Sequence, residues 1–450
     1  MASIFPLVQE FTRRSVFAHR EGRAISIEQF LRDVQLLAEL LPERRHVFNR
    51  CADRYRFAVG FSAALLRRQV SLLPPNETPA LIDQLVNRYP DVYCLSDQAG
   101  APAELKTMSF PELSGSGPAA AQVPVVPGTQ IAAVVFTSGS TGEPVPWRKT
   151  WGSLVRSALG EIESLGARVR AGMAVLGTVP PQHSYGLEST VLMAMQGGLA
   201  LHARRPFYPA DIRAELALLP RPRCLVTTPA HLRVLLAEPD DLPPADLLLC
   251  ATEALSPQLA ALAEARFAAP LHEIYGCTEA GQIATRRTVE TAEWRALPGV
   301  ALRTDGRDTW VKGGHVETEV LLGDVIELRG NARFLLHGRT ADLVNVAGKR
   351  TSLAHLNFHL NSIEGVLDGV FVAPEGESHA VARLMAFVVA PGHTSETLMN
   401  ALRQRIDAVF LPRPLCLVDA LPRSATGKLP RQALGSILAG LGSRPHQGRP

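Results

Sequence analysis

The stretch IAAVVFTSGSTGEP, residues 131–144, runs from a continuous apolar segment straight into a loop of glycines and hydroxyl side chains. Six apolar residues with Ile131, Val134 and Val135 among them are too few for an ordinary helix and read as a buried strand that ends in turn chemistry. In the loop, Thr137, Ser138, Gly139, Ser140, Thr141 and Gly142 are small enough for backbone N–H groups to approach an anion closely. Their hydroxyls add donors, so the loop is suited to cradling phosphates. Taken alone it also reads as a flexible turn. The Gly-x-x-x-x-Gly-Lys-Ser/Thr spacing of the ordinary P-loop is missing, which counts against a kinase or a motor-type ATPase.

Outward from this point, further short apolar runs recur at Ala174 to Val179, Cys224 to Thr227 and Leu247 to Cys250, alternating with helical patterns. That alternation points to an α/β fold with buried strands. Near the start, Ser26 and Gln29 have capping-box spacing ahead of Phe30, Val34, Leu37, Ala38 and Leu41, one apolar helical face. Residues 111–128, PELSGSGPAAAQVPVVPG, predict a loop. The 450 residues exceed one ordinary core and divide naturally into a large and a small unit. The boundary is expected in HGRTADLVNVAGKR, residues 337–350, giving 1–339 and 340–450. The second unit holds the helix-like SETLMNALRQRIDAVF and the loop PRSATGK, and the closing SRPHQGRP reads as a loose tail.

Composition narrows the functions available. With 46% hydrophobic and 20% charged residues the chain is an ordinary globular one, and a net charge of +3 does not suggest a nucleic-acid surface. From Asp342 onward there are 11 Lys or Arg against 8 Asp or Glu, whereas the two balance before it, so the basic excess is C-terminal. That excess is either solvated surface or an attraction for a nucleotide or an acidic partner. No uncharged apolar run approaches a membrane span, no secretory leader is visible, and a cytoplasmic location is expected. Cys51, Cys94, Cys224, Cys250, Cys277 and Cys416 are scattered without metal or redox spacing and read as buried reduced thiols.

Several further motifs carry polar chemistry: PPQHSYGLE at 180–188, ATEAL at 251–255, YGCTE at 275–279, GDVIEL at 323–328, GRTADLVNVAGKR at 338–350 and PRSATGK at 422–428. Taken with TSGSTG, their wording and order resemble the adenylate-forming superfamily of acyl-CoA synthetases, aryl-acid ligases, luciferases and peptide-synthetase adenylation domains. The resemblance spans about two thirds of the chain. It implies a large multi-subdomain N-terminal domain of mixed sheets and helices, followed by a small mobile α+β C-terminal domain. It also implies ATP and Mg2+, a carboxylic acid as substrate, an acyl-AMP intermediate, and coenzyme A or a phosphopantetheine arm as thiol acceptor.

Residue by residue, the resemblance implies that Tyr275 stacks on adenine, Thr278 contacts phosphate and Glu279 binds magnesium, a carboxylate being the right ligand for a hard cation. Glu253 falls in the adenine loop, Asp324 on the ribose, and Arg339 on ribose and phosphate near the hinge. His183, Tyr185 and Gly186 border the acyl pocket. Ala341 and Asp342 lie at the hinge, Gly348, Lys349 and Arg350 on the thiol-acceptor side, and Lys428 is the adenylation lysine. Catalysis is then expected on Lys428, Glu279, Thr137 and His183. Cys277, with no partnered base evident, reads as packing. No Gly-x-Ser-x-Gly elbow surrounds Ser184 or Ser140, which leaves a serine hydrolase without support.

Three positions depart from the family pattern. Val145 stands where many relatives have a phosphate-loop lysine, with Lys149 four residues on as a possible substitute. Thr252 replaces a glycine of the adenine loop, and Ala341 replaces the hinge aspartate. Size and motif wording are similar to aryl-acid ligases that load hydroxybenzoates, including those serving an acyl carrier protein in pigment synthesis. A medium-chain or β-hydroxy fatty acid is the alternative substrate, and a nucleotide-binding regulator without catalysis the alternative class.

Overall fold

The computed structural model describes residues 3–9, 15–100, 102–113, 122–138, 144–305, 308–339, 343–346, 349–373 and 384–423. Among these, the apolar runs read as strands do form strands, and those after residue 170 lie at the centre of a large mixed sheet. Ala174–Gly177, Arg223–Thr227, Leu247–Cys250 and Leu271–Cys277 run parallel, the first three buried along their whole length. A strand covered on both faces has no need of polar alternation, hence the unbroken apolar sequence. The helices Pro209–Leu218, Pro229–Ala237 and Pro257–Phe267 pack beside them through Leu216, Leu232 and Phe267.

The run IAAVVF lies in the strand Ile131–Ser138, in a second sheet of six described strands. It pairs antiparallel with Pro144–Thr150, in register from Ser138 opposite Pro144 to Ala133 opposite Lys149, and parallel with Val70–Leu73. Pro144–Thr150 is the terminal strand of that sheet as described. A three-stranded antiparallel sheet, Ala301–Thr304, Thr309–Gly313 and Val316–Leu322, lies farther along the chain.

Beyond Arg339 the chain builds a separate small α+β core. Strands Asp368–Val372, Met385–Val389 and Leu415–Leu417 pack with helices Leu353–Asn361 and Ser395–Arg403 around Leu356, Leu360, Phe371, Val388 and Leu398. The chain thus combines a large body of mixed sheets and helices with a small C-terminal α+β unit.

Some sequence expectations need correction. Ser26 does cap helix Ile27–Leu40, its Oγ accepting from Gln29 N at 3.1 Å, but the reciprocal half of the capping box is not made. The Gln29 amide donates instead to Asp33 at 2.6 Å; Asp33 is buried, also accepts from the Tyr55 hydroxyl, and draws the available donors. Residues 111–128 are not wholly loop, because Val125–Pro127 pairs with Ile4–Pro6 and buries Val126. The helix expected through SETLMNALRQRIDAVF ends at Arg403. Asp407 then caps a separate one-turn helix, Ala408–Phe410, accepting from Val409 N at 3.1 Å. Four cysteines are buried, but Cys277 and Cys416 are only half-buried, and all six thiols are free. Among the described residues no helix is long and apolar enough to cross a membrane. Residues from 424 onward, the expected tail SRPHQGRP among them, lie outside the described residues.

Candidate active site

Strands Leu271–Cys277 and Gly281–Arg286 are joined by Thr278, Glu279 and Ala280, so YGCTE is the end of a buried strand and the turn that follows it. The turn is tight. A Cβ on Gly276 would sit 2.3 Å from the Gly281 carbonyl oxygen, so the close approach needs glycine there. Thr278 and Glu279 are half-buried on the turn.

Lys149 reaches this turn from the other sheet. Its Nζ donates to the Glu279 carbonyl at 2.7 Å, and the residue is only 6% exposed. Burial pulls its ammonium below the ordinary lysine value, against the charges of Glu188, Cys277, Glu279 and Glu317. Strand Pro144–Thr150 therefore ties the hairpin that flanks TSGSTG to the turn that carries Glu279. Within that hairpin, Trp147 Nε1 donates to Thr137 Oγ1 at 3.1 Å, while Val145 lies opposite Thr137 and is exposed. The side chain of Ser138 and residues Gly139, Ser140, Thr141 and Gly142 fall outside the described residues.

A polar layer lies buried beneath the turn. Glu188 sits on a π-helical turn, Leu187–Leu192, and accepts from Ser157 Oγ at 2.6 Å. Glu161 accepts from Ser189 Oγ and Gln282 Nε2, both at 2.8 Å. Burial raises both carboxyls, and Glu161 is pushed up to about 7. Burial and the nearby Lys149 charge push His315 down to about 4, which keeps its ring neutral. The Cys277 thiol is pushed up to about 12 by burial and the Glu279 carboxylate, so it is a poor nucleophile, in keeping with a packing role.

Tyr275 lies at the other end of the motif. Its hydroxyl donates to Asp324 Oδ2 at 2.8 Å, and its ring packs against Trp294 and Phe334, centroids 5.6 and 5.8 Å away. Asp324 opens the strand Asp324–Gly330 and stands directly across from Arg339, at the end of Arg333–Arg339. Tyr275, Asp324 and the Arg339 backbone are thus brought together, although 64 numbers separate Tyr275 from Arg339. Glu253 lies apart from that group. It follows strand Leu247–Cys250 and is bound by Arg233, at 3.2 and 3.4 Å, and by Arg423 at 3.1 Å. Thr252 beside it has φ +91°, the conformation for which a glycine is suited.

In PPQHSYGLE, His183 precedes a short turn, Ser184–Gly186, without a capping bond from its side chain to that turn. A Cβ on Gly186 would come within 1.9 Å of the Pro180 carbonyl oxygen, so Gly186 closes the turn rather than lining a cavity through a side chain. The ring of Tyr185 is half-buried. Its hydroxyl is enclosed near the Thr227 backbone, outside hydrogen-bonding geometry with any described residue. Arg54, fully buried, holds this region from below by donating to the carbonyls of Gly177 at 3.0 Å and Val179 at 2.7 Å.

The AMP-binding enzyme family matches residues 40–307 of the chain. The 4-coumarate–CoA ligase of Rhodobacter capsulatus is 30% identical over 303 residues, 66% of this chain and 74% of that protein. The chain belongs to the AMP-binding enzyme family. Its fold matches ATP-bound MatB from Rhodopseudomonas palustris with a TM-score of 0.80 at 17% identity, covering 96% of this chain and 97% of that one. It also matches the o-succinylbenzoate CoA synthetase MenE of Bacillus subtilis, in complex with its acyl-adenylate intermediate, with a TM-score of 0.78 at 18% identity over the whole of both chains.

Within this adenylate-forming enzyme, Lys428, Ala341, Asp342, Gly348 and the Arg339 and Arg350 side chains lie outside the described residues. Lys349 forms an exposed ion pair with Asp407. The donor set at the turn fits magnesium. Among the described residues no three His, Cys, Asp or Glu side chains cluster as a metal site built from protein alone. A single half-buried carboxylate on an anchored turn suits an ion whose remaining ligands are water and phosphate oxygens. The sequence reading missed Glu188, Glu161, His315, Arg233 and Arg423. Only Glu188 carried a signal, as the acidic residue closing PPQHSYGLE.

Proposed function

We propose that the enzyme activates a hydroxybenzoate-type aryl acid as its acyl-AMP and passes the acyl group to the thiol of coenzyme A or of a carrier-protein phosphopantetheine arm. The observation that carries this reading is the Lys149–Glu279 contact, which joins the hairpin bearing TSGSTG to the turn bearing Thr278 and Glu279. The aryl preference rests on relatives named for coumarate and o-succinylbenzoate. The basic excess after Asp342 favours an acidic carrier protein by charge steering.

In the first half-reaction the acid's carboxylate attacks the α-phosphorus of ATP in line, and the bond to pyrophosphate breaks. Lys428 bridges carboxylate and α-phosphate, while the hydroxyls and N–H groups of 137–142 hold the departing phosphates. Tyr275, Asp324, Arg339 and the loop of Glu253 hold the adenosine. Glu279 is the residue that would hold magnesium, which when bound supplies charge neutralisation at the phosphates. His183 and Tyr185 border the acid.

In the second half-reaction the unit 340–450 turns about 340–342, withdrawing Lys428 and presenting Gly348, Lys349 and Arg350. The thiol gives up its proton to solvent and attacks the acyl carbon, the bond to AMP breaks, and a thioester forms. A pyrophosphate-release screen over hydroxybenzoates, other aryl acids and β-hydroxy or medium-chain fatty acids tests the substrate. Mass measurement after incubation with coenzyme A or a phosphopantetheinylated carrier identifies the acceptor. Turnover with fatty acids alone would overturn the aryl assignment.

A further inference from the structure

Arg423 stands five residues before Lys428 and belongs to a nearly buried cluster of four charges. Its Nε and Nη2 donate to the two oxygens of Asp368 at 2.6 and 2.7 Å, a bidentate pair inside the small C-terminal unit. Its Nη1 lies 3.1 Å from Glu253 Oε2, in the large body. Arg233, on helix Pro229–Ala237, binds the same Glu253 oxygen at 3.2 Å and stands 4.0 Å from Asp368 Oδ1. The four side chains are 12–17% exposed. Burial pulls the Arg423 guanidinium down, but its bonds to Asp368 and the charge of Glu253 hold it above its ordinary value.

The cluster is two closed ion pairs, one in each body. Arg423–Asp368 belongs to the small unit and Arg233–Glu253 to the large one, and among these four side chains Arg423–Glu253 and the longer Arg233–Asp368 approach cross between them. Stripping one partner from a buried pair is costly because it leaves a bare charge. Separating the bodies here leaves no bare charge, since each carries away a neutralised pair. Such a contact gives a defined docked geometry that is also easily released.

We propose that Arg423 and Glu253 are positioning residues forming a reversible ionic latch, which holds the segment bearing Lys428 against the large body during adenylation and opens before thioester formation. This rests on the two-step reading above. The test uses the full-length enzyme with the substitutions Arg423→Gln, Arg423→Lys, Glu253→Gln, the double Arg423→Gln/Glu253→Gln, and Lys428→Ala. Pyrophosphate exchange and thioester formation from supplied acyl-AMP are measured separately.

Each glutamine variant should lower kcat for exchange by about tenfold or more, the scale of a misplaced catalytic group, while for Arg423→Gln, which lies outside the adenosine-binding loop, thioester formation stays within about twofold. The double variant should be no worse than the worse single, and Arg423→Lys should recover part of the exchange rate. Equal loss in both half-reactions, loss in neither, or additive singles would overturn the latch. Should Arg423→Gln fail to fold, Arg423→Lys carries the test, with a loss confined to exchange expected. If Lys428→Ala abolishes exchange and the latch variants do not, only the latch falls. If Lys428→Ala also leaves exchange intact, the two-step reading itself fails.

Discussion

The ammonium of Lys149 and the backbone carbonyl of Glu279 meet at 2.7 Å, although 130 positions separate them in the chain. Lys149 sits on the terminal strand of one sheet and Glu279 on a turn of the other, so one buried hydrogen bond fixes how the hairpin flanking TSGSTG faces the turn. A hydrogen bond from a charged donor is stronger than a neutral one and is held more rigidly when water is excluded.

Lys149→Met keeps the length and removes the donor. Pyrophosphate exchange should fall by about tenfold to a hundredfold through misplacement of the turn. The melting temperature should fall as well, because the Glu279 carbonyl loses its donor and the buried Glu188 its nearby cation. Unchanged exchange would remove Lys149 from the machinery.

Glu161 sets a pH dependence. Its folded value of about 7 lies above the ordinary 4.5, so the folded state binds more protons between those limits. The contribution of this group to stability is present below pH 4.5 and is lost as pH rises through 7. Glu161→Gln mimics the protonated side chain, so its stability relative to the parent should improve from pH 4.5 to pH 8, by on the order of 3 kcal/mol. Denaturant unfolding of both proteins at the two pH values measures this; a constant difference rejects the assignment.

Thr252 is β-branched, exposed and held at φ +91°. Thr252→Gly should relieve strain of about 1–3 kcal/mol and give back part of it as unfolded-chain entropy. The expected outcome is a small rise in melting temperature by calorimetry, with a fall as the contrary result.

Lys428→Ala should suppress pyrophosphate exchange while sparing thioester formation from supplied acyl-AMP, because the role proposed for the lysine is confined to the attack on the α-phosphorus. Equal loss of both steps would count against two conformations. Paired rate measurements on one preparation decide it.

Thr252 and Lys149 mark where reading residues in order reaches its limit. The replacement of a glycine at Thr252 is visible in the chain, but that the backbone there still takes the conformation suited to glycine is visible only in φ. In the sequence Lys149 is a possible substitute for a lysine at Val145, four residues away. Residues four apart in a strand share a face, and the sheet packing buries the Lys149 end of that face against a remote carbonyl while Val145 stays exposed.

The chain alone determined the buried strands, because runs such as LLLC and CLVT must leave water wherever they fold. It also determined the family, through short motifs whose order survives along the backbone. The tertiary structure alone decided the ion cluster of Arg233, Glu253, Asp368 and Arg423, and the carboxylates beneath the turn. Charged side chains carry no local periodicity that names a partner, so their pairing is set only when the apolar cores bring distant segments into contact.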